Sequence, residues 1–323
     1  MKQLSFKSSF CGKCKGEIMR IVPLILSLTI LLNADYSIQP IPVDFKYDKE
    51  KAILGKKLFH DARLSKDNSV SCSSCHMLQD GGDDNLQFSF GINGQLGNIN
   101  SPTVLNSRYN LAQFWDGRTK DLKEQAAAPI ANPIEMGSSI SEVLKKIKKD
   151  SKYKKEFKKL YENGLTEENI LDAIAEFEKA LVTPNSRFDK YLRGETTALT
   201  KIEIEGYELF KSNGCISCHN GVNIGSNLYQ KVGILKTYID EFNTLGRYNV
   251  TKKKRDKYYF KVPTLRNIEL TAPYLHDGSK LNLIEIVKFM MIYQLGIIPD
   301  EKDILKIVAF LKTLTGETPK ILD

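Results

Sequence analysis

Cys72-Ser73-Ser74-Cys75-His76 is the stretch that decides how the rest of the chain is read. Two cysteines spaced by two residues, with a histidine directly after, form the attachment signal for a c-type haem. Each thiol adds to one vinyl group of the porphyrin, and the next residue is then placed to bind the iron. The signal recurs at Cys215-Ile216-Ser217-Cys218-His219. One match alone would also suit half of a zinc site, but zinc wants further Cys or His close by. Two matches that both end in His point to two covalently bound haems.

The sequence around the signals repeats. Gly55-Lys56-Lys57-Leu58-Phe59 precedes the first and Gly206-Tyr207-Glu208-Leu209-Phe210 the second, each reading as the end of a short helix. Pro102-Thr103-Val104-Leu105-Asn106 matches Pro263-Thr264-Leu265-Arg266-Asn267 at an offset of 161 residues. The same offset takes Asp116-Gly117 to Asp277-Gly278, Leu122 to Leu283 and Glu124 to Glu285. A length of 323 residues gives each half enough chain for its own core. The expected class is mainly α, with two cytochrome c-like haem domains related by the repeat, over residues 35–185 and 186–323. Ser141 is expected to cap a helix carrying Val143, Leu144 and Ile147, and Thr166 a helix carrying Ile170, Leu171, Ile174, Phe177 and Leu181. Pro184 is expected to stop the latter, with Thr183 to Gly194 as the crossover. Ile304, Ile307, Val308, Phe310 and Leu311 mark a final amphipathic helix closing over the second haem.

Ile21 to Leu32 is an apolar run too short to span a bilayer comfortably, and Asn33-Ala34-Asp35 follows it. Residues 1–34 therefore read as a signal peptide region cleaved near Ala34, with Met19 as the expected true start. Cys11 and Cys14 are followed by Lys15 rather than His and are expected to leave with that segment. The remaining cysteines all belong to the haem signals, so no disulfide is expected. The formal charge is +8; loss of five cations and one anion with residues 1–34 leaves +4, which makes no case for nucleic acid. Nine lysines between Lys145 and Lys159 read first as a solvated helix face, with a docking patch for an acidic redox partner as the alternative. Because c-type attachment takes place outside the bacterial cytoplasm, the expected location is the periplasm, with no membrane span after cleavage.

The two haems do not have equal ligands at hand. The other histidines are His60 and His276, and the methionines free of the signals are Met136, Met290 and Met291. Met290 lies 161 residues after Pro129, and His276 lies 161 after Trp115. One half thus has a thioether where the other has proline, which cannot bind iron. The arithmetic suggests one haem closed by His219 and Met290 and one with only His76 assured; a core methionine is the alternative for Met290. Methionine ligation suits electron transfer, and an open iron suits a small oxidant. Gln125 and Glu135 lie near the open site in sequence. A carboxylate in a dry pocket can take a proton from one peroxide oxygen and give it to the other, while an amide holds the substrate.

With these residues in view, the chain resembles the bacterial di-haem cytochrome c peroxidases, of the same superfamily as the MauG-type enzymes. The resemblance runs over about residues 45–315. It is carried by Leu64-Ser65, Asn100-Ser101-Pro102-Thr103, Gln113-Phe114-Trp115-Asp116-Gly117-Arg118 and Glu135-Met136. It continues through Lys261 to Asn267, Thr271-Ala272-Pro273-Tyr274-Leu275-His276-Asp277-Gly278 and Gln294-Leu295-Gly296. The resemblance implies that the haem at His76 reduces hydrogen peroxide and the haem at His219 receives electrons from a small periplasmic c-type cytochrome. It implies catalytic roles for Glu135 (acid–base), Gln125 (pocket amide) and Trp115 (between the haems), and axial ligation by Met290. It implies a calcium ion held by Asn100, Thr271 and Pro273, a hard-oxygen set completed by water. His276 corresponds to a histidine near the second haem that is not its ligand. A homodimer is expected. Many members carry a histidine in the loop Phe90-Gly91-Ile92-Asn93-Gly94-Gln95 that caps the first iron; here Ile92 holds its place. His60 is expected at the surface or supporting a ligand from behind. Two other readings stand beside the peroxidase: a MauG-type oxidase acting on a protein, which would carry tyrosine at the position of Met290, and a plain di-haem electron carrier.

Overall fold

The structure, a computed structural model, describes residues 38–323. The signal region, Cys11, Cys14 and Met19 lie outside the described residues. The helices of the first half are α1 (Lys49–Phe59), α2 (Cys72–Cys75), α3 (Leu122–Ala131), α4 (Ile140–Ile147), α5 (Ser151–Leu160) and α6 (Glu167–Ala180). Then come α7 (Arg187–Leu192), α8 (Lys201–Ser212), α9 (Tyr248–Thr251), α10 (Leu283–Phe289) and α11 (Glu301–Lys312). The strands β1 (Tyr229–Lys231) and β2 (Tyr259–Lys261) form one short antiparallel pair. The chain is mainly α, as the scarcity of period-two patterning leads one to expect. No helix among the described residues is long and apolar enough to cross a membrane.

Two helix pairs carry the framework: α1 lies along α6, and α8 along α11. Both crossings are so close that only glycine fits. A Cβ on Gly55 would stand 1.8 Å from the Ala173 carbonyl oxygen, and one on Gly206 would stand 1.9 Å from that of Lys306. Four residues on, Phe59 and Phe210 enter the core and approach the motif histidines, with ring centroids 6.5 Å from His76 and 6.4 Å from His219. The glycine sets the helix spacing and the phenylalanine occupies what that spacing leaves. The apolar core divides accordingly. Two clusters draw on residues 52–181, joined by Ile321 near the chain end, and a third on residues 188–314 with Ile38.

Local geometry recurs at the 161-residue offset. Asn106 and Asn267 both take the left-handed conformation with φ of 61°, and both donate their side-chain amide to the Thr183 hydroxyl, at 2.8 and 2.9 Å. The Thr103 and Thr264 hydroxyls donate to the carbonyls of Gly81 and Asn223, at 2.6 and 2.7 Å. Isolated bridges pair Gln113 with Thr119 and Tyr274 with Lys280. Across the middle of the molecule the pairing is reciprocal. The Asn100 N–H donates to the His276 carbonyl at 2.8 Å, and the Lys261 N–H, 161 residues on, donates to the Trp115 carbonyl at 2.7 Å.

Two helix ends differ in detail from the expectation. The cap of α4 is Ser139, not Ser141: the Ser139 hydroxyl accepts the Glu142 N–H at 3.2 Å, whereas the Ser141 hydroxyl bonds that of Ser139. Helix α6 ends at Ala180, because Leu181 already leaves helical geometry three residues before Pro184. Thr166 caps α6 as expected, accepting the Asn169 N–H at 3.1 Å.

Candidate functional site

Each haem signal is folded so that its histidine is fixed by a backbone carbonyl. Ser71 and Ser74 form a reciprocal cap at the start of α2, which presents Cys72 and Cys75, and the chain leaves the helix at His76. The His76 Nδ1 lies 3.2 Å from the Gly82 carbonyl oxygen. In the second signal Gly214, at φ 88°, opens a short turn over Cys215–Ser217, and the His219 Nδ1 lies 3.3 Å from the Ile224 carbonyl oxygen. With Nδ1–H donating to a carbonyl, Nε2 carries the lone pair in both rings. Burial lowers the pKa of His76 and takes that of His219 down to about 4, so both imidazoles are neutral donors.

One cavity of about 550 Å³ reaches Cys72, Cys75, His76, Cys215, Cys218 and His219 together. Lys261 tests whether haem fits there. Its side chain faces this cavity at 6% exposure, and among the described residues no carboxylate pairs with it. Burial drives its pKa down to about 8. An anionic group from outside the chain satisfies such an ammonium, and the carboxylate edge of a haem is one. With four cysteines and two neutral imidazoles on the same wall, the residues fit two covalent haems.

Corresponding positions of two helices line this cavity. From α3 they are Leu122, Gln125, Ala126 and Pro129; from α10 and the residue after it they are Leu283, Ile286, Val287 and Met290. The four positions correspond one to one at the 161-residue offset. Gln125 thus stands where Ile286 stands, and Pro129 where Met290 does. A π-helical turn over Met290–Gln294 follows α10. Met290 and Met291 both line the cavity, and Met291, at 2% exposure, also joins the second-half core. Met136 is buried in a first-half cluster at the cavity edge. His60 is exposed at the end of α1 and is not part of the lining.

Trp115 and His276 both line the cavity, with ring centroids 6.2 Å apart and edge to face. The Trp115 Nε1–H donates to the Asn100 carbonyl at 2.8 Å. His276 is held by Asp240, Nε2 to Oδ2 at 2.9 Å, and stacks on Phe260 with centroids 4.0 Å apart. It is thus engaged on both sides. Asn100, Thr271 and Pro273 also line the cavity. Asn100 spends its Nδ2–H on the Leu86 carbonyl at 3.0 Å, which leaves Oδ1 as the end able to accept.

Glu135 follows α3 and faces the cavity. Burial raises its pKa, against the lowering effects of the Asn132 amide, which donates to Oε1 at 2.6 Å, and of the Arg118 charge. The loop bearing Ile92 is tied to it, the Ile92 N–H donating to the Glu135 carbonyl at 2.8 Å. A Cβ on Gly137 would stand 2.2 Å from the Ile92 Cδ1, so that side chain packs over Gly137, and Ile92 is absent from the cavity lining.

Several residues at the site carry no sequence signal. Asp83 and Glu178 face the cavity, each with a buried carboxylate oxygen lacking a partner, and burial raises both to about 8. Asn132, Asp240 and Lys261 act through contacts that only the fold creates.

The sequence profile described as di-haem cytochrome c peroxidase matches residues 49–197. The chain is 50% identical over 290 residues to the cytochrome c551 peroxidase of Nitrosomonas europaea, covering 90% of this chain and 87% of that one. It is 42% identical over 276 residues to the cytochrome c551 peroxidase of Pseudomonas aeruginosa, covering 83% and 79%. Among solved structures, a MauG-like protein associated with microbial copper homeostasis superposes with a TM-score of 0.76 at 28% identity, over 88% of this chain and 94% of that one. The chain belongs to the di-haem cytochrome c peroxidase family.

Proposed function

We propose that this protein is a periplasmic cytochrome c peroxidase, reducing hydrogen peroxide to water with electrons from a small c-type cytochrome. One peroxide, two protons and two reduced cytochromes give two waters and two oxidised cytochromes. The observation that carries this reading is the unequal cavity wall: amide and proline beside the His76 signal, isoleucine and methionine beside the His219 signal. When bound, the haem at His76 supplies an iron open to peroxide, and the haem at His219 supplies an electron-accepting iron. His76 and His219 would each hold an iron through Nε2, and Met290 would offer its thioether to the iron at His219. Glu135 takes the proton from one peroxide oxygen and returns it to the other, and a pKa above the ordinary carboxylate range suits both halves of that transfer. Gln125 orients the peroxide. Trp115 bridges the two signals through its contacts with Asn100, Lys261 and His276.

In this reading the halves 35–185 and 186–323 are two copies of one haem-binding unit, which the recurring hydrogen bonds support. A calcium ion held by the Asn100 Oδ1 and the Thr271 and Pro273 carbonyls would tie the two halves together, and the enzyme works as a homodimer. A MauG-type role is disfavoured by Met290, which stands where that type carries tyrosine. Steady-state oxidation of a reduced small c-type cytochrome by peroxide tests the proposal. Two cytochromes oxidised per peroxide supports it; no oxidation above the uncatalysed rate overturns it.

A further inference from the structure

Residues 38–323 hold 42 lysines and arginines against 37 carboxylates, a net of +5. Residues 145–159 alone hold nine lysines against Asp150 and Glu156, a net of +7. The remaining described chain is slightly acidic overall; it holds a second basic stretch, residues 247–257 at a net of +5, so residues 145–159 are the larger of two. Helices α4 and α5 build it. Val143, Ile147, Tyr153 and Phe157 turn into the first-half core, which leaves the lysines on the outer faces.

The two carboxylates there are already engaged. Glu156 pairs with Lys57 at 2.7 Å, and Asp150 accepts the Lys152 N–H at 2.9 Å and an Arg63 N–H at 3.2 Å. Of the nine lysines, Lys159 pairs with Glu50 and Lys146 bonds the Ser65 and Lys66 carbonyls. The other seven make no ion pair among the described residues. Lys148, just after α4, and Lys154 and Lys158 of α5 converge on a surface groove of about 520 Å³, which Glu162 also lines. No large apolar side chain from residues 140–165 is exposed.

A protein partner is a poor match for such a face. Interface cores are depleted in lysine and are anchored by aromatic residues and arginine, whereas the arginine at this face, Arg63, is held by Asp61 and Asp150. Flexible, unpaired ammonium groups around an open groove match a plane of phosphodiester headgroups, each adding a small increment that salt screens. We propose that the α4–α5 face docks this protein on a bilayer surface rich in anionic phospholipid.

The test is co-sedimentation of the holoprotein with vesicles of phosphatidylcholine alone or mixed with phosphatidylglycerol. Binding should require phosphatidylglycerol and be lost in high salt. The variant K148E/K152E/K154E/K158E, checked by its haem spectrum, should bind weaker by on the order of 10³-fold or more. Its peroxide turnover with a soluble cytochrome should not change. Inorganic phosphate at matched ionic strength should release no more protein than chloride does. Equal binding to phosphatidylcholine vesicles, salt-independent binding or a variant that binds like the wild type would overturn the proposal. So would selective release by phosphate, which would mark a discrete anion site, or capture by a soluble acidic protein without vesicle binding. The salt and lipid dependence of the unaltered protein decides the matter even if the variant does not fold.

Discussion

Asn132 sets the working range of the proposed acid–base residue. Its amide donates to the Glu135 Oε1 at 2.6 Å and favours the ionised carboxylate, while burial favours the neutral acid. A hydrogen bond to a charged group is worth about 1.5–3 kcal/mol. Removing it in Asn132→Ala should displace the acid limb of the pH–rate profile upward by about one to two pH units, at 1.36 kcal/mol per unit. The sign follows from the role. Glu135 must be ionised to take the first proton, so activity rises with pH through its pKa, and anything that favours the neutral acid moves that rise to higher pH. Glu135→Gln keeps size and polarity but removes the titration. Turnover should fall on the order of 10²–10⁴-fold, and the acid limb should vanish. The assay is initial-rate peroxide reduction with a reduced cytochrome between mildly acidic and mildly alkaline pH. An acid limb that stays in place in Asn132→Ala, or survives in Glu135→Gln, would refute this assignment.

Met290→Ala should abolish the absorption characteristic of a methionine-ligated haem and lower that haem's potential, leaving peroxide binding at the other site intact; survival of the band would show that the thioether is not a ligand. Glu178 should make stability fall as pH rises from the ordinary carboxylate range to about 8, because the unfolded chain releases a proton that the folded chain retains. Glu178→Gln should therefore gain about 1–3 kcal/mol over the wild type at neutral pH and nothing near pH 4, as read from denaturant unfolding at several pH values. Calcium chelation should lower the thermal midpoint and the turnover of the wild type, and Asn100→Ala should show the lower values without chelator. A chelator effect of equal size in Asn100→Ala would place calcium elsewhere.

Much of the framework was legible because close packing leaves few choices. Gly55 and Gly206 must be glycine where a Cβ would meet a facing carbonyl, and Phe59 and Phe210 must follow them to reach the histidines. Those requirements recur 151 residues apart, and the stretches after the haem signals recur at an offset of 161, so the repeat shows through in the sequence. The choice between Met290 and Met291 was not legible locally. Both sit on an apolar run and both reach the cavity, and only the match of Met290 to Pro129 at the 161-residue offset sets one apart. The buried charges at Asp83, Glu178 and Lys261 were invisible for a different reason. A charged side chain carries no sequence mark of being buried, and these three are buried by elements far apart in the chain. The α4 cap was misplaced by two residues because several serines stand in a row, and only backbone geometry chooses Ser139.

The central claim is that the two haem sites are unequal, one open to peroxide and one closed by Met290. Ile92 has no lone pair to offer and packs over Gly137, and the exposed His60 is not at the cavity. Electron paramagnetic resonance of the fully oxidised holoprotein, recorded before and after mixing with peroxide, tests this most directly. The expected result is one high-spin signal that is lost on mixing and one low-spin signal from the second site in the starting spectrum. Two low-spin signals that do not respond until one electron has been added would contradict the account, and would show that another residue blocks the iron at His76.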